Sequence, residues 1–369
     1  MERTAQLNKR YKALSIAILL VILSLISVLI YNDYKHFISI EKEKILKNIN
    51  RQKTYIDSLL KTTTSFVKQR KLLIENSLEN TEVNPDDLKS LKYPSHQIIK
   101  SATRDDRISL FMTSKNKDQM TLKEIGMVQH HLEDLHITYA TTGYYIWSYY
   151  TSKDGTLLLY PNLSEKVTNE LFPNMTFDEM VDVSIYQRPH WKESVPSANP
   201  DGEPFWTKAY IDYGGTGLII THGTPIYVND KFQGMFAVDI SLSFLSKSLN
   251  QIIGYENSKV IISNYHNQVI AGKYLLSDKN EIHLLEDKLS GSLMTKFSSL
   301  LPGSQKNIFL SDQKSTLFCT SLTNAPFDII ATVSNAEIFG KFIERYSTNL
   351  FIIFLLMAGF LTIIFFLSL

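Results

Sequence analysis

Between residues 186 and 239 the sequence gathers side chains that could grip a small charged molecule at both ends. These are Tyr186, Arg188 and Trp191 in "YQRPHW", Trp206, Tyr210 and Asp212 in "FWTKAYID", and Asp239 in "GMFAVDISL". Arg188 offers a planar fork of donors that matches a carboxylate with two parallel hydrogen bonds. Asp212 and Asp239, when ionised, only accept, which suits an ammonium group. Tyr210 can donate or accept beside them, and an aromatic face such as that of Trp191 shelters an alkylammonium by cation–π attraction. An arginine at one end, with two aspartates and aromatic rings at the other, describes a site for a zwitterion. The simplest such ligand is a free amino acid.

Each of these residues also has a plainer role open to it. Arg188 could pair with Asp182 or Glu193 on the surface, a contact worth little. Trp191 and Trp206 could be core residues, since aromatics dominate core burial. Asp212 could simply open the turn "DYGGTG". Asp239 is the hardest to explain that way, because it interrupts the apolar run "MFAVDISL" and a buried carboxylate is costly unless paired.

Other chemistries are poorly served. "GGTG" at 214–217 lacks the Lys-Ser/Thr of a phosphate-binding loop. His130 and His131 are adjacent in a polar helical stretch and so point to different faces. His222 has no Cys or carboxylate at ligand spacing. No Gly-x-Ser-x-Gly elbow occurs, and Cys319 sits in a strand pattern without a local His. The sequence therefore predicts no catalytic constellation, no metal site and no cofactor. A net charge of +1 over 369 residues, with no strongly basic face, gives no reason to expect nucleic acid.

Two uncharged runs bound the elements that must position the site. Residues 13–30, "ALSIAILLVILSLISVLI", and 350–369, "LFIIFLLMAGFLTIIFFLSL", each nearly span a hydrocarbon core of roughly 30 Å. The first is long for a signal peptide and no small-residue cleavage site follows it. Arg3, Lys9, Arg10 and Lys12 precede it while Asn32 and Asp33 follow, so the positive-inside rule puts residues 1–12 in the cytosol and 31–349 outside. Both runs are expected as membrane spans, with any cytoplasmic output carried beyond this chain or by a partner. Cys319 is the only cysteine, so the outer region folds without an intrachain disulfide. That favours a bacterial envelope over a eukaryotic surface.

Residues 32–78 contain neither Gly nor Pro, and Ile38, Ile45, Ile49, Ile56, Leu59, Phe66 and Leu73 recur at helical spacing. This predicts a long stalk helix with a narrow apolar stripe, suited to packing on its own domain or to a homodimer seam. Beyond it the texture changes to short strands. "YYIWSYYTSKDGTLLLYP" reads as a hairpin turning at Lys153-Asp154-Gly155, and "GLIITHGTPIYV" with "GMFAVDISL" as a second turning at Asn229-Asp230. "SLSFLSKSLNQII" is a helix leaving that sheet. The pattern then restarts with a hairpin through His266-Asn267, three strands in "KNIFLS", "STLFCTSL" and "FDIIATVS", and the helix "NAEIFGKFIERYSTN". The fold class is α+β, with two antiparallel-sheet modules in series at 80–245 and 250–335. A linker helix at 336–349 runs on to the second span.

A long helix, two PAS-like sheet modules and a closing helix between two spans resemble a double Cache (dCache) sensor domain. The outer regions of bacterial chemoreceptors, histidine kinases and diguanylate cyclases are of this kind. The local match is "RPHWKESVPSANPDGEPFWTKAYIDYGGTGLIITHGTPIY" followed by "GMFAVDISL". The resemblance implies a sensor with no enzymatic activity of its own, binding an amino acid or amine in the module at 80–245. It implies Arg188 and Trp191 at the carboxylate, Tyr210, Asp212 and Asp239 at the amino group, and Tyr186 and Trp206 as further aromatic liners. One departure stands out: the amino-acid-binding pattern has Arg-x-Trp, whereas here Arg188-Pro189-His190-Trp191 puts His190 where the tryptophan would be. That weakens the carboxylate half of the site and keeps a simple amine open as the ligand.

Overall fold

The computed structural model describes residues 2–80, 98–99, 109–112, 123–124, 143–161, 163, 165–249, 254–273, 281–299 and 307–366. The polar helical stretch expected at His130 and His131 lies outside the described residues, as do the limits of the expected segments at 250 and 367–369. The Gly- and Pro-free start forms one helix, α1 (Glu2–Asn80), of 79 residues. The apolar run and the stalk are thus a single rod, about 120 Å long at the rise of an α-helix. Its buried stripe is Phe37, Ile45, Ile49, Ile56, Leu60, Phe66, Val67, Ile74 and Leu78. At three turns the buried residue is the neighbour of the expected one: Phe37 beside Ile38, Leu60 beside Leu59 and Ile74 beside Leu73. Over such a length the 3.6-residue turn drifts against a fixed heptad spacing.

The first sheet contains β1 (Ile98–Ile99), β2 (Ser109–Met112), β3 (Tyr145–Ser152), β4 (Thr156–Tyr160), β5 (Phe205–Trp206), β6 (Tyr210–Ile211), β7 (Leu218–Val228) and β8 (Lys231–Ser241). Its order is β1-β2-β4-β3-β8-β7-β5, with β6 also paired to β7. Between β4 and β5 the covering segment that follows the β3–β4 hairpin holds short helices: α2 (Glu165–Leu171), α3 (Phe177–Val181) and α4 (Pro189–Ser194). The β7–β8 turn has Asn229 and Asp230 at φ 48° and 59°, the geometry that lets a two-residue hairpin follow the twist of its strands.

After α5 (Leu242–Ser248), the second sheet holds β9 (Lys259–Asn264), β10 (Val269–Gly272), β11 (Ile308–Ser311), β12 (Ser315–Ser321) and β13 (Phe327–Ser334), in the order β10-β9-β13-β12-β11. It also carries a small helix, α6 (Gly291–Ser298). In each sheet one hairpin, β3–β4 in the first and β9–β10 in the second, lies beside the last strand, which lies beside the penultimate one. The two modules therefore share a connectivity without sharing a sequence. The last helix, α7 (Asn335–Phe366), leaves β13 directly.

Period-two alternation divides the first sheet into two faces. Tyr150, Leu158, Ile220, Phe236 and Val238 join the main core under α1, while Tyr149, Leu157, Met235 and Ala237 join a smaller cluster with Met180, Val181 and Ile185 from the helical cover. The helix α1 is pinned to both modules. Glu75 Oε1 accepts from the Tyr227 backbone N–H at 2.9 Å, and Asp57 Oδ1 accepts from Thr323 N–H at 2.7 Å and Asn324 N–H at 3.2 Å.

One described helix, within Ala13–Asn80, is long and apolar enough to cross a membrane, and none of its apolar window is buried in the protein. The segments Asn335–Asn349 and Phe351–Thr362 meet the same requirement only when taken together, and they are bent by 53°.

Candidate functional site

The face of the first sheet opposite α1 carries a cavity of about 80 Å³ beneath the helical cover. At roughly 10–15 Å³ for each water-sized occupant, that is room for a molecule of a few heavy atoms. The alternation that splits the core also aims the polar residues. Asp239 shares parity with Met235 and Ala237, so it points to the cavity side, as do Trp147 and Tyr149 on β3 and Ile219 on β7. Cross-strand register sets Trp147, Asp239 and Thr221 side by side on β3, β8 and β7.

Asp239 is 4% exposed. Its Oδ1 accepts from Thr221 Oγ1 at 2.6 Å and from Tyr149 Oη at 3.2 Å, whereas its Oδ2 takes no hydrogen bond from the described residues. Burial pushes its carboxyl up to about 8, helped by the nearby Asp212 and opposed by the Thr221 and Tyr149 hydrogen bonds and the Arg188 charge. Burial also keeps Tyr149 and Tyr210 well above the ordinary phenol range, so both remain donors.

Asp212 is engaged differently. Its Oδ1 accepts from Gly214 N–H at 2.9 Å, and its Oδ2 accepts from Thr216 N–H at 3.1 Å, Thr216 Oγ1 at 2.6 Å and Trp147 Nε1 at 3.2 Å. It therefore performs the turn-opening role that "DYGGTG" suggested, and in doing so fixes a wall of the cavity.

The helical cover is shaped by a capping box and a proline. Thr176 and Glu179 cap α3 reciprocally, and the helix continues as a π-helical turn over Asp182–Tyr186. Pro189 then forces the residue before it out of helical geometry, so Arg188 is extended at φ −88° and ψ 157° with Pro189 starting α4. Arg188 donates to the Ile211 carbonyl and lies over the rings of Tyr210 and Tyr213, at 4.9 and 4.4 Å from their centroids. It makes no ion pair with Asp182 or Glu193 among the described residues; Asp182 Oδ2 accepts from Gln187 Nε2 instead, at 2.6 Å.

One residue further along a helix is a rotation of about 100°, and it separates His190 from Trp191. His190 lines the cavity, with its Nδ1 2.9 Å from Tyr210 Oη and its ring edge-on to Tyr149. Burial and the Arg188 charge push its imidazole down to about 3, so it is neutral. Trp191 packs on Tyr186 and Phe232, with centroids 4.7 and 5.7 Å away.

Of the residues singled out in the sequence, Arg188, Tyr210, Asp212 and Asp239 line the cavity, and Tyr186, Trp191 and Trp206 do not. Tyr186 donates to the Ser152 carbonyl at 3.0 Å. Trp206 stacks on His222 at 4.2 Å and meets Phe327 of the second sheet edge-on, which makes it a packing residue between modules. Liners that the sequence did not single out include Trp147, Tyr149, Phe172, Ser184 and Tyr213, while His190 stands where the resembled pattern has its tryptophan. Alternation in "YYIWSYY" pairs Trp147 with Tyr149 on one face, a signal that could have been read once that face was known to hold Asp239.

Residues 134–247 match the family model of the methyl-accepting chemotaxis protein-like first PDC sensor domain. No curated protein sequence matches the chain. Among solved structures, the extracellular domain of the candidate histidine kinase mmHK1S-Z3 is similar, with a TM-score of 0.50 and 12% identity, covering 82% of this chain and 98% of that one. The ligand-binding domain of the Pseudomonas aeruginosa PAO1 amino acid chemoreceptor PctB, in complex with L-Arg, gives a TM-score of 0.42 and 13% identity over 82% of this chain and 92% of that one. The sensory domain of the Campylobacter jejuni chemoreceptor Tlp3 (CcmL), with isoleucine bound, gives 0.36 and 15% over 80% and 97%. The first likeness shows the fold; the other two are too loose to carry an argument.

Proposed function

With residues 134–247 a PDC sensor domain in a membrane protein whose outer region has a double Cache fold, we propose that the cavity on the first module binds a small amino-containing metabolite, an amino acid first of all. The observation that carries this reading is Asp239. A carboxylate held under a helical cover, loaded on one oxygen and open on the other, is costly unless a cation completes it. An ammonium group on Oδ2 would do so, beside the aromatic faces of Trp147 and Tyr149. Arg188, which among the described residues donates only to the Ile211 carbonyl, is the group for a carboxylate at the other end.

A simple amine is the second reading, favoured by α4 itself. His190 occupies the cavity and Trp191 faces away, so the carboxylate half rests on Arg188 alone.

The rest of the proposal follows from a sensor role. The apolar part of α1 and a second span at 350–369 hold the chain in a bacterial cytoplasmic membrane, with residues 31–349 outside. Two copies pair along α1. Ligand binding shifts α7 relative to α1 and reaches an output domain or partner in the cytosol. A ligand drives such a change only through its different affinities for two states.

The test is calorimetric titration of the full chain in lipid nanodiscs with L-alanine, propylamine and propionate. Alanine and propylamine should bind and propionate should not, and Asp239→Ala should abolish both. If neither ammonium compound binds, the reading is wrong. If propylamine matches alanine and Arg188→Ala alters neither, the ligand is an amine.

A further inference from the structure

The hydroxyl groups behind Asp239 form a chain whose direction is fixed by proton counting. His190 Nδ1 lies 2.9 Å from Tyr210 Oη, Tyr210 Oη contacts Thr221 Oγ1, and Thr221 Oγ1 donates to Asp239 Oδ1 at 2.6 Å. Each hydroxyl carries one proton. An ionised Asp239 carries none, so the Thr221 proton must lie on the bond to Asp239. The Tyr210–Thr221 contact must then use the Tyr210 proton, and the His190–Tyr210 contact must use a proton on Nδ1. The neutral ring has only one. His190 Nε2 is left without a proton, and it is buried with no hydrogen-bond partner among the described residues.

We propose that His190 is a positioning residue for the ligand site: its Nδ1–H holds the Tyr210 and Thr221 hydroxyls pointing toward Asp239, which fills Oδ1 and reserves Oδ2 as the charged acceptor for the ligand's ammonium group. This rests on the reading of the cavity as an ammonium site. It also sets which end of the ligand His190 serves. With its one proton committed to Tyr210, His190 has no donor to offer a carboxylate, whereas a tryptophan in its place could only donate.

The relay makes a prediction that mere packing does not. Without the imidazole, the Tyr210 oxygen has an open lone pair, and the Thr221 proton can turn back to it. Asp239 then loses a hydrogen bond that stabilises its charge, and ionises at higher pH. The other groups that bear on Asp239 are Asp212 after β6, Tyr149 on β3, Tyr210 on β6 and Arg188 before α4. None of them is replaced by the change, and of the four only Tyr210 loses a direct hydrogen bond.

The experiment measures propylamine affinity against pH for the full chain in nanodiscs. In His190→Leu the affinity should fall roughly tenfold at neutral pH, the worth of one hydrogen bond to a charged group, and its rise with pH should move up by about one unit. His190→Asn, whose amide N–H reaches where Nδ1–H does, should keep the wild-type midpoint. Adding Tyr210→Phe to His190→Leu removes the competing acceptor and should return the midpoint toward wild type. An unmoved midpoint in His190→Leu overturns the proposal. A ligand-independent arm uses 15N-histidine NMR at a pH above the ionisation of Asp239, with His190→Asn for assignment. Protonation at Nδ1 supports the relay, and protonation at Nε2 overturns it. If propylamine does not bind the wild type, the ammonium-site reading fails, and the NMR arm still decides the relay.

Discussion

The backbone N–H of Ala209 donates to Gln268 Oε1 at 3.0 Å, one residue before Tyr210 enters the cavity wall. Gln268 belongs to the β9–β10 turn of the second module, where its Oε1 also accepts from Asn264 Nδ2 at 2.8 Å. A residue of the pocket is thus one peptide unit away from the neighbouring sheet.

If this link couples the modules, amine binding will slow deuterium uptake in β9 and β10 as well as around the cavity. Gln268→Ala should abolish the distant protection and leave the affinity little changed. Hydrogen exchange with mass spectrometry on the full chain reads both effects. Protection in the second module that survives Gln268→Ala would assign the coupling to α1 instead.

Asp239 should make the empty protein less stable as pH rises. Its folded value of about 8 lies above the ordinary 3.8, so its contribution is fully present below about 4 and is lost as pH climbs toward 8, at up to roughly 1.4 kcal/mol per unit. His190 acts in the opposite sense. Its value is depressed to about 3 from 6.5, so its contribution is present above 6.5 and is lost as pH falls toward 3. Thermal melts of Asp239→Asn from pH 5 to 9 should lose the alkaline decline and keep the acid one. An unchanged alkaline limb would place that decline elsewhere.

Asp212→Asn should be no milder than Asp212→Ala. An asparagine would put an NH2 donor in place of one of the two oxygens, facing donors that both oxygens now accept from, Gly214 N–H at Oδ1 and Thr216 N–H, Thr216 Oγ1 and Trp147 Nε1 at Oδ2. Either change should cost about 2–3 kcal/mol and loosen the turn that holds Trp147. Gly214→Ala gives a second probe of the same wall, since its Cβ would fall 2.6 Å from Trp147 Cζ2 and 2.9 Å from Asp212 Oδ2. Denaturant titration and amine binding should show both properties weakened in all three variants.

Trp191→Ala should separate packing from binding. The ring contacts Tyr186 and Phe232 and does not line the cavity, so its loss should reduce stability by about 2 kcal/mol, less than a fully buried tryptophan costs. Affinity for propylamine should remain near wild type. A large loss of affinity with intact stability would return Trp191 to the ligand site.

These variants also mark what the sequence made legible. Both hairpins of the first module could be read because Asn229-Asp230 and Asp154-Gly155 occur where apolar alternation breaks, and alternation is a local property. Asp239 could be read because an acid in an apolar strand has few inexpensive explanations. Tyr186 and Trp191 could not be placed, because their directions depend on the π-helical turn before Arg188 and on the restart of the helix at Pro189. A shift of a single residue there exchanges His190 for Trp191 at the cavity. Trp147 and Tyr149 were hidden for another reason: "YYIWSYY" is aromatic on both faces, and composition alone does not say which face meets the cover.

The continuous helix α1 acts as a ruler laid along both modules. Its attachments at Asp57 and Glu75 are 18 residues apart, about 27 Å at the α-helical rise. A helix does not shorten to follow a small approach of the two sheets. Any motion that changes their separation along this axis must therefore release one attachment or slide a module past the rod. On the proposed sensor role, the response at the membrane would come in steps, set by which hydrogen bonds hold, rather than as a smooth bend.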